Sequence, residues 1–129
     1  MPRTTISVEA LRNMLEQGEP VTVLDVRTDE ERSEWAIPGS IHFGVYEALK
    51  AEDERAMESV DVPERLPVVT VCGTGKTSMI AAKQLRAKDF TAMSLEGGMK
   101  SWSLAWNVAE VPMSGTEAKV VQVRRTGKG

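Results

Sequence analysis

With 129 residues, 41% hydrophobic and 27% charged, the chain has the size and core-forming fraction of one globular domain. A net charge of −3 leaves no global attraction for nucleic acid or an anionic membrane, so any anion binding must be local. One cysteine and one histidine exclude a disulfide framework and a cysteine-based zinc cluster, and no metal or other cofactor is expected.

In chain order, residues 4–7 suit a short edge strand, and Ser7 can N-cap a helix with Val8, Leu11, Met14 and Leu15 on one face and Gly18 beyond its end. Residues 21–26 are rich in β-branched side chains and predict a central parallel strand, with Asp25 near its end and Arg27 just past it. In open α/β sheets that end faces the ligand crevice. Thr28 followed by Glu31 is a capping box, which opens a short helix through Trp35. Ile37-Pro38-Gly39-Ser40 turns the chain into a short strand at 41–43, in which His42 is expected to pack rather than to catalyse.

Residues 45–60 have a helical pattern with an acidic, solvated face. Pro63 and Pro67 bracket the entry to a strand beginning at Val68. A further strand is expected over 91–95, and Gly97-Gly98 leads into a last helix with Met99, Trp102 and Trp106, where helical spacing favours packing over ligand stacking. From Pro112 the character changes to a glycine- and charge-rich tail with strand-like residues 120–123. The expected organisation is a domain over 1–111 and a linker or tail over 112–129, readable as the start of a following domain.

The most informative stretch runs from Val68 to Ser78: a β-branched run ends at Cys72 and passes through Gly73-Thr74-Gly75-Lys76-Thr77-Ser78 into a helix predicted from about 77 to 88. Gly73 and Gly75 allow a tight, partly left-handed backbone whose N–H groups point inward, and the helix start aims its positive end at the same spot. A thiol held there ionises readily. A buried, inert cysteine is the commoner fate of a lone thiol, but such a cysteine does not require a side-chain-free loop beside it. Gly73-Thr74-Gly75-Lys76-Thr77 also mimics a nucleotide-binding loop and fails on spacing, because Thr70 stands where a glycine is needed.

Alternating strands and helices with a cysteine at a strand's carboxyl end predict an α/β domain with a mainly parallel sheet covered on both faces. On four stretches the chain resembles the rhodanese-like domains. These are Leu24-Asp25-Val26-Arg27 with its acidic helix, Ile37-Pro38-Gly39-Ser40-Ile41, the loop from Cys72 to Thr77, and Leu95-Glu96-Gly97-Gly98-Met99-Lys100-Ser101-Trp102. The resemblance implies a five-stranded sheet with helices on both sides and transfer of sulfane sulfur through a Cys72 persulfide. The donor would be a small molecule such as thiosulfate or mercaptopyruvate, and the acceptor a thiol or cyanide. Cys72 would be the nucleophile, Gly73, Thr74, Gly75, Lys76, Thr77 and Ser78 the anion cradle, and Asp25 and Arg27 the supporting floor.

Many members carry arginine directly after the cysteine, where this chain has Gly73, and the Cys-Gly-x-Gly-x-Thr form is similar to the loop of mercaptopyruvate sulfurtransferases. Loop-cysteine phosphatases share the fold but need a loop one residue longer that ends in arginine, where Ser78 stands here. The non-enzymatic alternative is a regulatory or sulfur-delivery module with a fused or separate partner, for example a metallo-β-lactamase-like domain. A free thiol, an N-terminus without the apolar core of a signal peptide, and the absence of a membrane-length apolar run predict a cytoplasmic location, with neither membrane nor nucleic acid as partner.

Overall fold

Strand and helix alternate through residues 4–105, which are the residues described in the computed structural model. The elements are β1 (Thr5–Ile6), α1 (Val8–Glu16), β2 (Thr22–Asp25), α2 (Asp29–Glu34), β3 (Ile41–His42), α3 (Tyr46–Lys50), β4 (Val68–Val71), α4 (Lys76–Ala87), β5 (Ala92–Leu95) and α5 (Gly98–Ala105). Among the described residues the strands form one five-stranded sheet in the order β1-β5-β4-β2-β3, every pair parallel. The expected tail over 112–129, its strand-like residues 120–123, and Trp106 lie outside the described residues.

The two faces of the sheet are read directly from residue alternation. Leu24, Val26, Val68 and Cys72 point to one face, where Leu49 of α3 and Ala81, Ala82 and Leu85 of α4 cover them. Val23, Val69, Val71 and Leu95 point to the other, against Leu11 of α1 and Met99 and Trp102 of α5. A strand buried on both faces reads as a continuous apolar run, which is why β2 and β4 are legible in the sequence.

The starts of α1 and α2 follow side-chain caps: Ser7 Oγ accepts from Ala10 N–H at 3.1 Å, and Thr28 Oγ1 accepts from Glu31 N–H at 3.2 Å. The 45–60 reading is corrected, because α3 spans only Tyr46–Lys50. Glu52 takes a left-handed φ of 60°, and the amides of Glu52 and Asp53 return to the carbonyls of Leu49 and Ala48 at 2.9 Å each. That is a Schellman ending without glycine. Turns replace the helix from there, so Ala56 and Met57 reach the core while the acidic residues stay in solvent.

Candidate active site

Cys72 follows directly on β4 and is only 2% exposed. Its sulfur accepts the Gly75 N–H at 3.0 Å and lies 3.3 Å from Ser78 Oγ. Gly75, the N-cap of α4, has φ 102°, a left-handed conformation that turns its amide back over the sulfur. Gly73 departs from the expectation, since its φ lies outside the left-handed region and the turn is made at Gly75 alone. Helix α4 begins one residue before the predicted start, at Lys76.

The loop's shape is imposed from beneath by α5. Met99 N–H donates to the Cys72 carbonyl at 2.8 Å and Lys100 N–H to the Gly73 carbonyl at 3.0 Å. Amides in the first turn of a helix have no partner within it, and here they hold the loop's carbonyls outward, leaving its N–H groups for the inner side. A Cβ on Gly98 would collide with the Cys72 carbonyl oxygen and meet the Gly73 carbonyl carbon at 2.8 Å.

Burial alone would raise the Cys72 pKa. Hydrogen bonds from the Ser78 and Thr77 hydroxyls and from the backbone amides of Ser78 and Gly75 outweigh it, so the thiol is held below its ordinary value. The N-terminus of the twelve-residue α4 adds its positive end at the same place.

The sulfur opens onto a cavity of about 430 Å³, lined also by Glu31, Tyr46, Lys50, Glu52 and the loop residues Gly73, Thr74, Lys76 and Thr77. Lys76 and Thr74 are exposed at the mouth, and Thr77 and Ser78 are buried beneath it. Lys50 Nζ stands 5.9 Å from the centroid of the Tyr46 ring, within cation–π range. The wall from α3 was missed in the sequence, where residues 45–60 read as a solvated helix. Glu31 was read only as a helix-capping residue, yet its Oε2 would lie 3.7 Å from a Cβ on Gly73. Among the described residues no cluster of three or more His, Cys, Asp and Glu could hold a metal, and no helix is long and apolar enough to cross a membrane.

Asp25 and Arg27 are both buried and grip each other, with Arg27 Nη2 to Asp25 Oδ2 at 2.8 Å and Nε to Oδ1 at 3.0 Å. Arg27 Nη2 also donates to the Trp35 carbonyl at 2.7 Å, and Arg32 reaches Asp25 at 3.4 Å. The pair thus ties the end of β2 to the end of α2. Val26 N–H donates to the Val71 carbonyl at 2.9 Å, which joins that strand end to the residue preceding Cys72. His42 Nε2 donates to the Arg27 carbonyl at 2.8 Å.

The family model described as Rhodanese-like domain matches residues 7–105. A Bacillus subtilis protein provisionally named a sulfurtransferase, YtwF, is 33% identical over 97 residues, covering 75% of this chain and 87% of its own length. A tRNA sulfurtransferase of Desulfurococcus amylolyticus is 36% identical over 77 residues, 60% of this chain but only 14% of that protein. Among solved structures, a rhodanese-like domain protein from Staphylococcus aureus superposes with a TM-score of 0.62 at 27% identity, covering 77% of this chain and 90% of the other.

Proposed function

Because the chain belongs to the rhodanese-like domain family through residues 7–105, we propose that it is a sulfurtransferase that carries sulfane sulfur as a persulfide on Cys72. The observation that carries this reading is the sulfur's position, 3.0 Å from the Gly75 N–H and at the N-terminus of α4, where an anion is stabilised before and after it takes up sulfur. The thiolate attacks the donor's transferable sulfur, the outer sulfur of thiosulfate or the thiol sulfur of mercaptopyruvate. The new S–S bond forms as the donor's bond to that sulfur breaks, and the leaving group, sulfite from thiosulfate or pyruvate enolate from mercaptopyruvate, departs with the electron pair. An acceptor thiolate or cyanide then attacks the outer persulfide sulfur and returns Cys72 as thiolate.

For the donor, we favour mercaptopyruvate over thiosulfate. Gly73 supplies no cation and Glu31 lines the same cavity with a carboxylate, which disfavours a dianion, whereas Lys76 at the mouth suits a single carboxylate. A free thiol doing this chemistry needs a reducing compartment, for which we propose the cytoplasm. A second reading, delivery of sulfur within a larger assembly, is favoured by the small fraction of the tRNA sulfurtransferase that this chain matches. Its partner would be a fused or separate domain that receives the outer sulfur from the exposed mouth of the cavity.

Intact mass before and after incubation with each donor tests the proposal. Gain of one sulfur atom on wild type and none on Cys72→Ser is expected; no gain from either donor removes the catalytic reading in favour of the module.

A further inference from the structure

Behind Cys72 the sheet and α4 share a short buried line of hydroxyls. Ser78 and Ser94 are 0% and 1% exposed, their Oγ atoms are 2.6 Å apart, and Ser78 Oγ is 3.3 Å from Cys72 Sγ. Thr70, the register partner of Ser94 on β4, donates its hydroxyl to the Ser78 carbonyl at 2.6 Å and fixes the backbone from which the Ser78 side chain projects.

The polarity of this line follows from counting protons. Among the described residues Ser78 is the sole hydrogen-bond partner of the Ser94 hydroxyl. A buried O–H left without an acceptor costs free energy, so Ser94 donates to Ser78. Ser78 cannot return its own proton along the same line, and its remaining side-chain neighbour is the cysteine sulfur. A neutral thiol accepts such a proton weakly through a sulfur lone pair and a thiolate accepts it strongly, so a Ser78 hydroxyl aimed at Cys72 favours the sulfur anion.

We propose that Ser94, on β5, is a positioning residue that donates to Ser78 and thereby turns the Ser78 proton onto Cys72 Sγ, presenting a fixed donor first to the thiolate and then to the inner sulfur of the persulfide. The inference rests on Cys72 being the sulfur-carrying group. The lowered thiol pKa, to which the Ser78 hydroxyl contributes after burial opposes it, agrees with this polarity.

The test is the pH midpoint of Cys72 alkylation in wild type, Ser94→Ala, Ser78→Ala and the double variant, each first shown to unfold cooperatively. The charged and titratable groups facing the sulfur's cavity are Glu31 from α2, Tyr46 and Lys50 from α3, Glu52 after it, and Lys76 from α4, and all four proteins keep them. The expected result is a midpoint raised by about half to one pH unit in Ser94→Ala, a size set by one neutral hydrogen bond. Ser94 acts only through Ser78, so adding Ser94→Ala to Ser78→Ala moves the midpoint no further. Ser94→Thr, which keeps the hydroxyl, holds the parental midpoint.

An unmoved midpoint in Ser94→Ala, an equal shift in the Ser78→Ala background, or an alanine-sized shift in Ser94→Thr would overturn the proposal. Alkylation needs no sulfur donor. A chain that shows the expected cycle but never gains sulfur therefore loses the proposed function and the persulfide half of this inference, and keeps the positioning of Ser78 on the thiolate.

Discussion

Gly98 packs directly against the carbonyl of Cys72, with no room for a side chain between them. Its φ of 59° adds a backbone cost for any other residue. Gly98→Ala is therefore expected to destabilise by about 2–5 kcal/mol, left-handed strain plus overpacking, and to slow Cys72 alkylation as the loop carbonyls lose the Met99 and Lys100 amides. Gly39, with φ 80° and nothing within 4 Å of where a methyl group would sit, is the control. Gly39→Ala should cost only the strain, about 1–2 kcal/mol, with alkylation unchanged. Urea denaturation and alkylation rates on the two variants decide this.

Cys72 also couples reactivity to stability through pH. The unfolded thiol titrates at about 8.5, and the folded one is held lower. Between the two values the unfolded chain binds the extra proton, so stability rises with pH across that window and is lost as pH falls through the folded value. Cys72→Ser removes this rise while retaining a cooperative transition. Denaturation midpoints measured across the window, wild type minus variant, should slope upward with pH; a flat difference would count against a depressed thiol.

The space beside Gly73 yields a test of donor choice. Its backbone accepts a side chain, and the nearest obstacle to a Cβ is Glu31 Oε2 at 3.7 Å. In Gly73→Arg that carboxylate would capture the new guanidinium and blunt its effect. Gly73→Arg with Glu31→Gln frees the cation to hold a sulfonate, a charge-assisted hydrogen bond worth about 1.5–3 kcal/mol, or roughly ten- to a hundred-fold in kcat/KM for thiosulfate. Mercaptopyruvate should gain less, so the ratio of the two kcat/KM values is the measurement. An unchanged ratio means that Lys76 and the loop amides already suffice.

The proposed domain end at residue 111 is open to truncation. The described members of both core clusters fall between Ile6 and Trp102. Removing 112–129, whose glycines and charges offer few groups to bury, is expected to shift the melting temperature by a few degrees at most. A loss of many degrees would place residues 120–123 in the sheet.

What was legible in the sequence was what depends on local chemistry. Val68–Val71 announced a doubly buried strand, Ser7 and Thr28 announced helix starts, and Cys72 among glycines announced the loop. What stayed hidden depends on encounters between distant segments. Ser94 read as an ordinary strand residue until β5 set it beside α4, and Gly98 read only as the lead into the last helix until α5 met the Cys72 carbonyl. Lys50 and Glu52 read as a solvated face because periodicity does not register that the helix stops at Lys50, where a left-handed Glu52 bends the chain along the cavity.

Among the described residues the first strand pairs with the last, Thr5 opposite Ser94 and Ile6 opposite Leu95, so strands from opposite ends of the described chain meet at one edge of the sheet. Contacts so far apart along the chain are slow to form and cannot precede synthesis of the later partner. A ribosome that has exposed residues as far as Cys72 has exposed no cradle, since Gly75, Ser78, β5 and the Met99 and Lys100 amides are still to come. Until then Cys72 lacks the hydrogen bonds that hold its pKa down, and the proposed nucleophile takes shape only as the domain closes.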